Sequence, residues 1–257
     1  MNRLLTISTL IILTACGRAT QPDISSQTDH ITKPSSEIET TTTDYKSDKE
    51  EKSESVDCND FVFNSPEVQA DSILLFMDKA SGSSSTNRQE WEHKFFCAFP
   101  SSFDAMQAVF GYDDKNGAAP LYSTDNPTFN YMDKRIYSDV IGYFSELRSI
   151  PDSVYYTKYI RININGRWEA DNIGEAFGFQ YRLMSDTEAV CKALANFSDQ
   201  EISSVFRFIF DGPHPKNEHN ENIFETLKSK IEAQNERLEN LLYQAYVTVM
   251  AEEDHGY

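Results

Sequence analysis

The segment Asp211–His219 contains the side chains of this chain that are best suited to chemistry. It reads Asp-Gly-Pro-His-Pro-Lys-Asn-Glu-His and holds two of the five histidines. Asp211 could orient His214 as a general base, and both residues with His219 could bind a metal. The spacing matches no established metal motif, and prolines on both sides of His214 are typical of a turn between two helices. We therefore favour a structural turn, in which His214 and His219 are candidates for contact with a partner.

Two other polar segments have less specific patterns. In Gly166–Asp171, Asp171 could cap a helix that begins at Asn172, and Trp168 could be a core anchor or an interface hot spot. Trp168 is therefore a further partner-binding candidate. The segment Tyr112–Gly117 is rich in oxygen atoms, but it lacks the alternating ligands and the distal glutamate of an EF-hand. We interpret it as a polar loop and expect no metal there.

Motifs that identify enzymes directly do not occur in the sequence. It contains no Gly-x-Ser-x-Gly, no His-Glu-x-x-His, no P-loop and no dinucleotide fingerprint. A catalytic triad can be scattered through a sequence, so catalysis remains open. The sequence favours a binding protein over an enzyme, and we expect no cofactor.

Helical patterns dominate the second, larger part of the chain. Apolar residues recur at helical spacing in residues 67–79, 87–96, 136–147, 202–210 and 223–249. Ser101 or Ser102 could cap a short helix that stops at Gly111, and Ser198 with Glu201 forms a capping box. The last of these patterns predicts one long amphipathic helix with a charged outer side. The sequence predicts a mainly α, single compact domain with about seven or eight helices.

One segment fits two structures. In residues 159–165, Ile160, Ile162 and Ile164 alternate with polar residues, as in a strand. Tyr155, Tyr159 and Ile162 also fit helical spacing. A lone strand would lack a partner in a helical fold unless residues 60–63 supplied it, so helix is the preferred alternative.

The amino terminus has the pattern of an export signal. Basic Arg3 precedes the apolar run Leu4–Leu13, which is too short to span a bilayer. The sequence Leu13-Thr14-Ala15-Cys16 resembles the lipobox of bacterial lipoproteins. This resemblance implies cleavage before Cys16, lipid on that cysteine and attachment to a membrane. Because Gly17 is not an aspartate, it also implies the outer membrane if the cell is Gram-negative.

The region after the cleavage site changes sharply in composition. We expect a signal peptide at 1–15, the lipidated cysteine with a disordered Ser/Thr-rich tether at 16–56, and a globular domain at 57–257. The precursor has a net charge of −18. Arg3 contributes +1 and the tether −4, so about −15 remains on the domain. Such a surface repels nucleic acid and attracts a basic protein or a cation, although plain solubility also explains much of the excess.

Three cysteines remain once Cys16 is assigned to lipid. Cys58, Cys97 and Cys191 would lie in an oxidising compartment, where an odd number leaves one thiol over. We expect one disulfide and one buried free thiol, with the pairing left open.

The anchor, the tether and the acidic domain together favour a protein that binds a partner in the cell envelope. Their arrangement resembles that of immunity proteins, which neutralise secreted antibacterial toxins. The segment Phe210–Pro215 also resembles segments of uncharacterised bacterial proteins. The alternatives are an envelope hydrolase that uses His214 with Asp211, and a structural envelope component.

Overall fold

The described part of the chain is built almost entirely from helices. A computed structural model describes residues 56–82, 87–113, 117–122, 136–168 and 175–252, which lie within one compact unit, Glu51–Tyr257. The α-helices in these residues are α1 (Pro66–Ser81), α2 (Arg88–Ala98), α3 (Phe103–Phe110), α4 (Ile136–Glu146), α5 (Asp152–Asn163), α6 (Phe179–Ser185), α7 (Thr187–Leu194), α8 (Asp199–Phe210), α9 (Glu218–Glu232) and α10 (Glu236–Ala251). The mainly α class is confirmed. The predicted number of seven or eight helices was too low, because the described residues contain ten.

Two short elements accompany the helices. Tyr112–Asp113 (β1) pairs antiparallel with Gly117–Ala118 (β2), so the segment interpreted as a polar loop is a small hairpin whose tip, 114–116, lies outside the described residues. Glu175–Gly178 forms a 3-10 turn before α6. No helix in the described ranges is both long and apolar enough to cross a bilayer.

Helix starts follow the capping side chains that the sequence indicated. The Ser102 hydroxyl accepts a hydrogen bond from the Ala105 amide at the start of α3. At the start of α8, the Ser198 hydroxyl accepts from the Glu201 amide, and the Glu201 carboxylate accepts from the Ser198 amide. Each contact satisfies a backbone group that has no partner inside its own helix. The predicted cap and capping box are confirmed.

Aromatic rings fill the region where α2, α4 and α5 meet. Phe99 and Phe144 stack with their ring centroids 4.0 Å apart, and Tyr159 meets Phe144 edge-on. The Tyr155 hydroxyl donates to the Phe144 carbonyl and the Tyr159 hydroxyl to the Phe177 carbonyl. Both tyrosines are fully buried because each hydroxyl has a hydrogen-bond acceptor inside the protein.

The ambiguous segment 159–165 contains the end of α5 and the two residues that follow this helix. Tyr155, Tyr159 and Ile162 are buried on this helix, which is the face that helical spacing predicted. The helix stops at Asn163, and Asn165 follows with a φ of 58°. Asparagine tolerates this left-handed conformation better than most residues. The preferred helical alternative is confirmed.

The long C-terminal helix that the sequence predicted is two helices, so that prediction was wrong. The chain leaves α9 after Glu232, and the Asn235 side chain caps α10 by accepting from the Leu238 amide. The outer side is charged along α9, but it carries no charge from Asn240 to the end of α10. Apolar spacing alone did not reveal the break, because the same helical spacing of apolar residues continues from α9 into α10.

One disulfide joins the segment before α1 to the end of α2. Cys58 bonds to Cys97, and Cys191 in α7 is a buried free thiol. Burial raises the pKa of Cys191 to about 11, so at neutral pH it is an unreactive thiol. The expectation of one disulfide and one buried thiol is confirmed for the cysteines that the structure describes.

Candidate functional site

The segment with the strongest chemical pattern forms the turn between α8 and α9. Helix α8 ends at Phe210, and prolines at 213 and 215 prevent the helix from continuing. Asn217 then caps α9 by accepting from the Asn220 amide at 2.8 Å. We call residues 211–217 the α8–α9 turn.

Asp211 has structural partners in this turn. Its carboxylate is 8% exposed and accepts from the Trp168 amide at 2.8 Å. It also pairs with the Arg207 guanidinium at 3.1 Å, and Arg207 reaches Glu252 beyond α10 at 2.8 Å. Asp211 therefore connects the chain after α5 to α8, and Arg207 connects α8 to the residue that follows α10.

A buried amide holds the turn from the other side. Asn220 is 8% exposed, and its side-chain nitrogen donates to the carbonyls of Phe210 and Pro215 at 3.0 and 2.9 Å. The Phe210 carbonyl is at the end of α8 and needs a partner outside the helix, and the Pro215 carbonyl also accepts from the Asn217 backbone amide. The polar residues of the α8–α9 turn are thus largely occupied by holding the backbone.

The two histidines lie at the surface. His214 and His219 are both exposed. Among the described residues no hydrogen bond or ion pair joins Asp211 to His214, and no group of three His, Cys, Asp or Glu side chains could hold a metal ion. The proposed pairing of Asp211 with His214 is therefore not formed, because the carboxylate is directed toward Trp168 and Arg207. Both histidines remain accessible for contact with a partner.

Trp168 is brought to the same place as Asp211. Its side chain is half-buried, and its amide donates to the Asp211 carboxylate across 43 positions of sequence. Two segments that the sequence singled out separately therefore form one structural contact. Asp171 and Asn172, the predicted cap and helix start, lie outside the described residues.

A polar cluster that the sequence did not indicate lies between α5 and α6. The Asp186 carboxylate accepts from Arg148 at 2.6 Å and from the Tyr156 hydroxyl, and lies 3.2 Å from Arg182. Arg182 is 5% exposed and lies over the rings of Tyr155 and Tyr156. Burial, with the bond to Asp186, raises the pKa of Tyr156 to about 12. Burial opposes ionisation of Asp186, yet the bonds from Tyr156 and Arg148 hold its pKa below the usual range.

The same cluster borders a cleft of about 970 Å³. Its lining is mostly polar and includes Arg148, Ser153, Thr157, Asp186, Thr187 and Lys192. Because Asp186 has three donors around it, it is suited to fixing the wall of the cleft and poorly suited to acting as a base. Residues far apart in sequence make this cluster, so no local pattern could have revealed it.

A second cluster lies beside the disulfide. The Glu92 carboxylate, 6% exposed, accepts from Arg88 at 2.7 Å and from the Tyr143 hydroxyl at 3.2 Å. Burial raises the pKa of Glu92, but the nearby Ser149 hydroxyl, together with Arg88 and Tyr143, outweighs this effect and keeps the pKa below the usual range. Nearby, His93 contacts the Ser149 carbonyl at 3.2 Å and lines a cleft of about 510 Å³.

Lys158 is a half-buried residue whose amine is directed toward the end of α2. Its Nζ donates to the Phe96 carbonyl and lies 4.6 Å from the centroid of the Phe96 ring. Burial lowers the pKa of Lys158 to about 7. The amine satisfies a carbonyl at the end of α2, which gives it a structural task.

Comparisons with known proteins find no matching family model, no similar curated protein and no similar solved structure. The chemistry of the surface therefore carries the functional argument.

Proposed function

We propose that this protein is a lipid-anchored binding protein of the bacterial cell envelope, whose acidic domain binds a basic protein partner. In its most specific form, the partner is a secreted antibacterial toxin, and the chain is the immunity protein that neutralises it. The lipid on Cys16 would hold the domain at the membrane, and the tether of residues 16–56 would let it stand clear of the lipid head groups.

The observation that carries this proposal is where the negative charge lies. Among the described residues, the side chains of Glu92 and Asp211 are the buried carboxylates. The others are at least partly exposed, on a domain of charge about −15, so they create a negative field around it. Such a field attracts a basic protein and increases the rate of encounter.

The disulfide supports the envelope location. Disulfides form and persist in exported proteins and are rare in the reducing cytosol. The bond between Cys58 and Cys97 links the start of the domain, directly after the tether, to α2. The domain is therefore suited to the compartment to which the lipobox pattern would deliver it.

The hydrolase alternative has less support. It needs Asp211 to orient His214, and the Asp211 carboxylate is held by Trp168 and Arg207 instead. The third function, a structural component of the envelope, is favoured over a binding protein by no observation in the described residues.

The test uses the full-length protein purified from membranes in mild detergent and the basic protein encoded beside its gene. We expect titration calorimetry to show binding that weakens as salt increases, because exposed charges are screened. Deletion of the gene for this chain should sensitise cells to the neighbouring protein. If no basic neighbour binds and deletion has no such effect, the proposal is wrong.

A further inference from the structure

The last three turns of α10 carry no charged side chain. From Asn240 to Ala251 every residue is uncharged, in a chain of which 25% of residues are charged. On the outer side of these turns, Tyr243 is 44% exposed and Val247 is 43% exposed. Residues four apart on a helix are neighbours, so the two form one apolar surface. We call the exposed residues of these turns the uncharged face: Asn240, Tyr243, Gln244, Val247, Thr248 and Ala251.

The core does not account for this face. Helix α10 packs on α8 and α9 through other residues, of which Leu238, Leu242, Ala245 and Val249 are buried. Tyr246, next to the face, stacks on Phe224 of α9 with ring centroids 4.0 Å apart. The core thus forms without covering Val247, and the Tyr243 ring, whose centroid is 6.3 Å from that of Phe224, is covered on one side only.

The side of the face toward α9 carries carboxylates. Glu221 and Glu225 are exposed and lie within one turn of Phe224, the residue that stacks on Tyr246, so both carboxylates are near the edge of the face. Burial and these two negative charges together raise the pKa of Tyr246. Lys228 lies 6.0 Å from the Tyr243 ring centroid. An uncharged centre with tyrosine, next to a charged rim, is the usual layout of a protein interface.

The exposed apolar residues of α1 provide a contrast. Val68 and Leu75 are 49% and 48% exposed, close to the values on α10. Asp71 lies three residues after Val68, and Asp78 lies three residues after Leu75, so each pair is on the same side of α1. That face is interrupted by charge and needs no partner, whereas the face of α10 is continuous.

We propose that the uncharged face of α10 is the surface on which the basic partner docks. The partner would present an apolar segment to Tyr243 and Val247, with Lys or Arg side chains beside it that meet Glu221 and Glu225. This inference rests on the proposed function and names its surface. A second copy of the chain or an anionic membrane fits less well, because each carries net negative charge and would approach a domain of about −15.

The first experiment locates the contact in cells of the native host. A photocrosslinking amino acid replaces Val247 in the full-length chain, and in a matched strain it replaces Val68. We expect an adduct with one basic protein from position 247 and much less from position 68. A dimer of this chain, a lipid adduct, or equal protein adducts at both positions would overturn the docking surface. No adduct at either position would likewise overturn the docking surface, whereas the proposed function fails only if the binding and deletion tests above also fail.

The second experiment measures affinity for the crosslinked protein after its purification. Val247→Lys should weaken binding at least about tenfold, because it removes an apolar contact and adds a charge that repels a basic partner. Val68→Lys makes the same change at similar exposure and should leave affinity within about twofold. Equal effects of both variants would overturn the surface but leave the proposed function standing. If the wild-type chain does not bind the purified protein, the proposed function fails as well.

Discussion

The α8–α9 turn and the uncharged face of α10 differ in how well their residue types indicate what their side chains do in the structure. The turn contains a histidine, a carboxylate and two prolines, and its polar groups are largely occupied: Asp211 contacts Trp168 and Arg207, and the Phe210 and Pro215 carbonyls contact Asn220 of α9. The face of α10 has side chains without charge and exposes Val247 and the outer side of Tyr243, whose ring packs beside Phe224. In the turn, residues of types that could do chemistry stabilise the fold. On the face of α10, uncharged residues remain accessible to a partner.

The difference follows from what each region must satisfy. A turn between helices leaves backbone groups without partners, and polar side chains are the nearest groups that can supply them. The outer side of a terminal helix has its backbone groups satisfied internally, so its side chains are free to suit a partner. Perturbing the turn should therefore change stability, and perturbing the face should change binding.

Replacing Asp211 by alanine should have the largest effect on stability. The change leaves the Trp168 amide without its acceptor and Arg207 with one carboxylate fewer. We expect the free energy of unfolding to fall by about 2–3 kcal/mol. Urea unfolding of the full-length chain in detergent, followed by circular dichroism, measures it. Asp71→Ala, which removes the same charge from an exposed position on α1, should change it by less than about 0.5 kcal/mol.

The affinity of the folded Asp211→Ala protein for the partner should stay close to that of the wild type. A large loss of affinity in protein that is shown to be folded would place Asp211 in the binding surface and remove the contrast between the two regions.

The cap of α9 should give a smaller loss. Asn217→Ala removes the acceptor for the Asn220 amide, and loss of such a cap costs about 1 kcal/mol. The same unfolding measurement checks this. Asn217→Asp keeps an oxygen acceptor at the helix start and should restore most of the stability. If alanine and aspartate behave alike, the cap contributes little and the turn is held by Asn220 instead.

Local signals in the sequence predicted much of the fold and little of the site. Ser102 and Ser198 were predictable because a cap depends on residues within one turn of it. The break before Asn235 was missed because apolar spacing continues across it. The partner of Asp211 was not predictable, since Trp168 lies 43 residues away. The uncharged run 240–251 was visible in the sequence, but only the fold shows that Tyr243 and Val247 lie on its outer side.

Tyr243→Ala should separate binding from stability on α10. Tyr243 is 44% exposed and its ring packs beside Phe224, so we expect the free energy of unfolding to fall by about 1 kcal/mol, with the better helix propensity of alanine offsetting part of the loss. Affinity for the partner should fall at least about tenfold if Tyr243 is a hot spot of the interface. A variant that unfolds more readily but binds normally would show that the face has a structural role.

His214→Ala should have the smallest effect of all, and it decides between the binding protein and the hydrolase, two of the three functions that the sequence left open. The His214 side chain is exposed, and its carbonyl, which the substitution keeps, is the atom that accepts from Asn217. We therefore expect stability within about 0.5 kcal/mol of the wild type, unchanged affinity and full protection of cells from the partner. An envelope hydrolase would need this imidazole as its base and would lose its effect. Loss of protection with binding intact would restore the hydrolase, whereas loss of both would extend the docking surface from α10 to the α8–α9 turn.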